Sequence, residues 1–157
     1  MIFKNSKDES ISLKEIIELA DRNCEYQIFL GTDSQLHKSI KSIIYATCII
    51  LYKKGKGGVI FTKKKKTINN ITLRERLMKE AWLSLEVAFE LSKLLTNNIE
   101  LVIHIDANKS PKYKSGLYVN ELVSLVSGQG FQVVVKPDAW AAQSVADRSC
   151  KKRLASL

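Results

Sequence analysis

Along the chain, segments in which hydrophobic residues recur with a helical period alternate with compact apolar segments typical of strands. This pattern predicts a mixture of helices and strands. The sequence Ser12-Leu13-Lys14-Glu15 is a capping box, which places the start of a short amphipathic helix. Compact apolar runs bounded by Gly, Lys, Asn or Pro predict strands. The predicted helices span 13–22, 72–95, 116–126 and 139–154, and the predicted strands span 26–30, 43–52, 59–62, 99–105 and 131–135.

The lengths of the connections predict how these strands pair. Short connections between the first three strands predict an antiparallel meander, and the later strand–helix–strand units predict right-handed parallel crossovers. We therefore expect an α/β fold with a mixed five-stranded sheet, a three-strand meander plus two parallel strands, flanked by helices. We expect one domain over 1–157, with 1–24 as an N-terminal helical extension.

Composition excludes several classes of protein. A chain of 157 residues that is 45% hydrophobic can bury a core, which excludes disorder as the main state. The 25 basic and 16 acidic residues leave a net charge of +9, which favours a polyanionic partner such as nucleic acid. We expect a reduced cytoplasmic protein outside the membrane, because long apolar runs, a signal core and paired cysteines are all missing.

Two aspartates follow predicted strands, where catalytic groups are common in α/β proteins. Asp33 comes directly after the first predicted strand, and Asp106 directly after the fourth. If these strands are parallel neighbours, both carboxylates emerge at the same edge of the sheet. The structural alternative is that each aspartate only caps a turn or a helix.

Two helices offer further carboxylates. On the long helix, Glu80 lies about 80° from the centre of the apolar face and Glu75 about 140–160°, so Glu80 is the acid expected to reach the sheet. Arg76 is an alternative ion-pair partner for Glu80. Asp147 interrupts the apolar pattern of the last predicted helix, where Arg148 offers a surface ion pair instead.

Four carboxylates and few histidines favour a hard cation, and oxygen ligands suit Mg²⁺ or Mn²⁺. Two such ions at one site support hydrolysis of phosphodiester bonds. Lysines near the predicted edge are candidate phosphate contacts, although a charge run is also typical of a solvated surface. These lysines are Lys63, Lys64 and Lys65 in a run of four, Lys112 and Lys114 in the loop after Asp106, and Lys136 at the end of the last strand.

Three segments together resemble the ribonuclease H-like superfamily and, more closely, the bacterial YkuK-like family of predicted RNase H-related nucleases. They are Gly-Thr-Asp-Ser-Gln at 31–35, His-Ile-Asp-Ala-Asn at 104–108, and the segment at 136–148 that begins Lys-Pro-Asp-Ala-Trp. The resemblance implies an RNase H-like fold and metal-dependent endonucleolytic cleavage of nucleic acid. It implies that the catalytic, metal-ligating acids are Asp33, Glu80, Asp106 and Asp147, although Glu75 lies nearer the position that ribonuclease H uses.

The predicted function is therefore a two-metal nuclease acting on RNA, DNA or a hybrid. One alternative is a catalytically inactive RNase H-like module that binds nucleic acid and shows salt-sensitive binding without cleavage. Another is a protein-interaction scaffold in which the acids are only caps and ion pairs.

Overall fold

The computed structural model describes residues 1–22, 26–37, 39, 41–68, 70–95 and 99–141. The predicted helix over 139–154 therefore lies almost wholly outside the described residues, and so does Asp147. The strands are β1 (Ile2–Lys4), β2 (Ser10–Ser12), β3 (Gln27–His37), β4 (Ser42–Lys53), β5 (Gly57–Ile68), β6 (Leu101–Asn108) and β7 (Gln132–Lys136). The helices are α1 (Leu13–Asp21), α2 (Leu73–Leu94) and α3 (Val119–Ser127), with a 3₁₀ turn at Lys114–Tyr118 before α3.

The strands form one mixed sheet in the order β2-β1-β5-β4-β3-β6-β7. The meander β3-β4-β5 is antiparallel, whereas β6 and β7 continue from β3 in parallel. This confirms the predicted three-strand meander plus two parallel strands, with helices on the sheet.

The predicted count of five strands is too low. The first twelve residues form the hairpin β1-β2, which joins the sheet where Lys4 pairs with Thr62 of β5. Of the predicted helical extension over 1–24, the structure describes residues 1–22, and within these α1 is the helical part. Strands of three residues are too short to show a period of two, so the sequence pattern does not predict β1 and β2. The structure shows that Phe3 of β1 belongs to the core, where it is 1% exposed.

Two strands also run further than their apolar patterns predict. β3 continues through Asp33 to His37, and β5 continues through the four lysines to Ile68. Both extensions are mainly polar, and pairing with β4 satisfies the backbone groups on the side that faces β4. Apolar runs mark only the part of a strand that is buried, so they underestimate its length.

The three helices cover one face of the sheet and bury its main core there. Ile28, Leu30 and Ile103 of the sheet pack in the same cluster as Leu85 and Leu91 of α2. The N-terminus of α1 has the predicted capping box, because Ser12 and Glu15 each accept from the other's backbone N–H. Within the described residues, no helix is both long and apolar enough to span a membrane.

Candidate active site at the ends of two parallel strands

Asp33 and Asp106 lie side by side at the end of the parallel ladder. β3 and β6 pair in register as far as Thr32 and Ile105, and the two aspartates are the next residues on each strand. Side chains alternate along a strand, and Thr32 contacts α2, so Asp33 points to the opposite face of the sheet. Asp106 lies at an irregularity of β6 and lines a cavity together with Glu80 of α2. The expectation that the strands end before these residues is wrong, because β3 goes on pairing with β4 and β6 continues to Asn108.

The sheet is irregular at Asp106. The pairing of β6 with β7 shifts register between Ile105 and Asn108, so that Asn108 pairs with Lys136. Such bulges redirect side chains and are common beside active sites. Here the Lys136 ammonium group forms an ion pair with Asp106 Oδ1, and both side chains are mostly buried. Lys136, predicted from the sequence as a phosphate contact, therefore balances the charge of a candidate ligand.

Glu80 approaches the same edge from α2. Its side chain is buried, and Oε1 accepts a hydrogen bond of 2.6 Å from Ser34 Oγ. Burial raises the pKa of Glu80 to about 8, the Ser34 hydrogen bond opposes that rise, and the negative charges of Asp33 and Asp106 add to it. The three carboxyl groups therefore interact electrostatically, and Glu80 is largely protonated at neutral pH.

A chain of buried hydroxyl groups holds α2 in place. Thr32 Oγ1 lies 3.0 Å from Thr47 Oγ1 and 2.8 Å from Ser84 Oγ, so β4, β3 and α2 are connected. Ser84 is one helical turn after Glu80, and this anchor therefore determines where the Glu80 carboxyl group lies. The sequence patterns did not predict this network or the Ser34 contact. A signal was available, because Thr32, Thr47 and Ser84 are hydroxyl residues at positions that the strand and helix periods place on buried faces.

Glu75 has a different role. Its carboxylate accepts hydrogen bonds from the backbone N–H of Thr72 at 2.7 Å and from Thr72 Oγ1 at 2.8 Å. This is a capping box, and Glu75 is exposed at the start of α2. Of the two glutamates considered, the structure brings only Glu80 to the aspartates.

Two cavities meet at Asp106. A narrow one of about 10 Å³, lined by Asp106, Glu80 and Thr32, has room for about one water molecule. A larger one of about 430 Å³ lies towards the solvent. Its lining residues are Asp106, Asn108, Tyr113, Ser115, Lys136 and Pro137.

The donor atoms at this edge are carboxylate oxygens, which match the preferences of Mg²⁺ and Mn²⁺. Within the part of the chain that the structure describes, however, no three His, Cys, Asp or Glu side chains are grouped so as to hold a metal ion. The fourth predicted ligand, Asp147, is outside that part. The chemistry of the donors fits a hard cation, and the described carboxylates do not by themselves form a closed cluster.

The register of the meander divides the run of lysines between the two faces of the sheet. Ala46 pairs with both Asp33 and Lys64, so Lys64 lies on the same face as Asp33. Lys63 and Lys65 alternate to the α2 face and are exposed. In the loop beyond Asp106, Lys112 and Lys114 are also exposed.

His104 is a structural residue of the sheet. It is 3% exposed, its Nδ1 accepts the Ala141 N–H at 3.0 Å, and its ring packs against Phe29 and Trp140. Burial lowers the pKa of His104 to about 4, so the ring is neutral at physiological pH.

Known proteins are similar to most of this chain. An uncharacterized protein of Bacillus subtilis (strain 168), YkuK, is 24% identical over 171 aligned positions, which cover 96% of this chain and 97% of that protein. The N-terminal RNase H domain of rv2228c from Mycobacterium tuberculosis, solved as a fusion with maltose binding protein, is 12% identical. The superposition covers 83% of this chain and 98% of that chain, with a TM-score of 0.38. The family described as ribonuclease H-like matches residues 12–151, which include the whole meander and both parallel strands, and the chain therefore belongs to the ribonuclease H-like family.

Proposed function

We propose that this protein is a metal-dependent nuclease that hydrolyses phosphodiester bonds. The observation that carries the proposal is the position of Asp33 and Asp106, adjacent at the end of the parallel ladder, with Glu80 near enough to interact electrostatically with both and to line a cavity with Asp106. Membership of the ribonuclease H-like family and a net charge of +9 support nucleic acid as the substrate.

The proposed ligands of Mg²⁺ or Mn²⁺ are Asp33, Glu80, Asp106 and Asp147. A pair of bound ions would activate the attacking water and stabilise the leaving oxygen. In this proposal Glu80 loses its proton when it becomes a ligand, because only the carboxylate form coordinates. Lys136 is positioned to exchange its ion pair with Asp106 for a contact to a substrate phosphate.

The remaining lysines are proposed to hold the nucleic-acid backbone. Lys64 shares the face of Asp33, and Lys112 and Lys114 are the exposed chain neighbours of Tyr113, which lines the larger cavity beside Asp106. Lys63 and Lys65 lie on the α2 face, so in this proposal they contribute to the overall positive field and not to direct contacts.

The test compares wild type with Asp33→Asn/Asp106→Asn. Cleavage of labelled RNA, DNA and hybrid strands in Mg²⁺ or Mn²⁺ is expected to fall by about a hundredfold or more, since these groups stabilise the transition state. Thermal unfolding with and without the same ions should show stabilisation of wild type only. The control is Glu86→Gln/Glu90→Gln, which removes two negative charges from α2 without touching the sheet edge. Full cleavage by the double aspartate variant would refute the assignment.

A catalytically inactive nucleic-acid-binding module is the second candidate. The Lys136–Asp106 ion pair favours it, because the ammonium group already neutralises one proposed ligand. This candidate predicts salt-dependent binding with no cleavage in either ion and no stabilisation by divalent ions. Divalent-dependent cleavage that the Asp33→Asn/Asp106→Asn variant loses would exclude it.

A further inference from the structure

The larger cavity beside Asp106 has one wall made by an exposed aromatic ring. Tyr113 is 55% exposed, and tyrosine is enriched at binding interfaces because its ring offers an apolar surface with a polar tip. It lines, together with Lys136 and Pro137, a cavity of about 430 Å³, a volume within the range of small-molecule sites.

The loop that carries Tyr113 is held in place by its own hydrogen bonds. Ser110 N–H donates to Asn108 Oδ1 at 2.9 Å, and Tyr113 N–H donates to the Ser110 carbonyl at 3.1 Å. Asn108 N–H donates back to Ser115 Oγ at 3.3 Å, which closes the loop against β6. A Cβ at Gly116 would lie 2.7 Å from the Ser110 carbonyl oxygen, so only glycine fits this closure. The ring is therefore presented on a preorganised wall, which lowers the entropic cost of binding.

The lining of the cavity matches the parts of a nucleotide. The Tyr113 ring and the Pro137 ring offer flat apolar surfaces for a base, and Ser115 and Asn108 bring polar groups for the sugar or the base edge. Lys136, the ion-pair partner of Asp106, supplies the positive charge that a phosphate would contact. The lining thus offers a group for each of the base, the sugar and the phosphate.

We propose that this cavity binds one unpaired nucleotide of a single-stranded segment, with its base stacked on Tyr113 and its phosphate directed to the Asp106 edge. A base inside a duplex is stacked on both faces, so it reaches this ring only after leaving the helix. The substrate class is therefore single-stranded nucleic acid, or a duplex with an unpaired nucleotide at the site. This inference deepens the proposed nuclease function and rests on it.

Binding of fluorescein-labelled single-stranded RNA, single-stranded DNA and a blunt duplex is measured by anisotropy with the full chain in EDTA. Tyr113→Ala should weaken binding of the single strands by about 5- to 150-fold, the range expected for loss of one stacked base. Tyr113→Phe keeps the ring and should stay within about twofold of wild type. Leu117→Ala is the matched control, because Leu117 is 81% exposed in the next turn and does not line the cavity.

Three outcomes would overturn the inference: equal losses for Tyr113→Ala and Leu117→Ala, equal losses for the alanine and phenylalanine variants, or an equal loss on the duplex. Circular dichroism of each variant confirms that the fold is retained. EDTA separates this test from turnover, since a Tyr113-dependent single-strand affinity supports the cavity even where cleavage is absent. Wild type that binds none of the three probes refutes the nucleotide site together with the nucleic-acid part of the proposed function.

Discussion

At the scale of single residues, environment rather than residue type separates the two glutamates of α2. Glu75 caps the helix in water, where its hydrogen bonds to Thr72 keep its pKa below the ordinary value. Glu80 lies five residues later, buried beside Ser34, and its pKa is raised to about 8. The same type of side chain therefore caps the helix at Glu75 and retains its proton at neutral pH at Glu80.

This difference makes stability depend on pH at Glu80. The folded protein holds an extra proton there between about pH 4.5 and 8, so stability from this group is complete below pH 4.5 and is lost as the pH rises through 8. Glu80→Gln cannot ionise and keeps the neutral shape. We therefore compare the free energy of unfolding of Glu80→Gln with that of wild type in EDTA. The difference, variant minus wild type, should increase by more than about 1 kcal/mol between pH 5 and pH 9.

Denaturation by urea at several pH values measures this change, with Glu86→Gln as the exposed control on the same helix. The control should differ from wild type by less than about 0.5 kcal/mol at every pH. If the difference in free energy of unfolding between Glu80→Gln and wild type stays constant with pH, Glu80 is ionised in the folded protein at neutral pH.

At the scale of elements, β5 shows how strand geometry separates a uniform run of charge. Beyond Thr62 no described strand pairs with its outer side, and lysines on such an edge also discourage pairing between molecules. Because neighbouring side chains alternate, Lys64 and Lys66 share the face of Asp33, whereas Lys63 and Lys65 do not.

Paired variants of β5 test whether this face carries the nucleic acid. Lys64→Ala/Lys66→Ala should weaken binding by about tenfold and reduce the slope of log affinity against log salt by about 1 to 2. Lys63→Ala/Lys65→Ala removes the same two charges from the same strand and should change affinity by about twofold or less. Anisotropy titrations over a range of salt concentrations give both quantities. Equal losses for the two pairs would mean that only the total charge matters.

At the scale of the whole molecule, the N-terminal hairpin belongs to the same sheet as the candidate site. Phe3 on β1 is 1% exposed and packs in the cluster that includes α1, α2 and the central strands. Phe3→Ala should therefore lower the free energy of unfolding by about 3–5 kcal/mol, as expected for a phenylalanine removed from a packed core. Ile2, its neighbour, is 57% exposed and provides the control.

Chemical denaturation compares Phe3→Ala with Ile2→Ala, which should cost less than about 1 kcal/mol. If both substitutions cost the same small amount, the hairpin contributes little to the core and the N-terminal segment is only an appendage. A large difference would show that residues 1–12 are required for the stability of the sheet.

Local signals in the sequence were sufficient for most of the fold. The capping box at Ser12, the helical period of α2 and the apolar runs of β4 and β6 act over a few residues, so they are readable without tertiary contacts. The polar ends of β3 and β5 were missed because backbone pairing with β4 stabilises them, and side-chain patterns do not record that pairing.

The sequence by itself determined the fold class and indicated the candidate acids, with Glu80 favoured over Glu75 by helical period, because periodicity and residue chemistry are local properties. Only the tertiary structure decided that Asp33 and Asp106 are adjacent, that Lys136 pairs with Asp106, and that Tyr113 stands over the neighbouring cavity. These relations depend on the register between strands distant in the chain. Register is set by packing and hydrogen bonding across the whole sheet, and no single segment contains it.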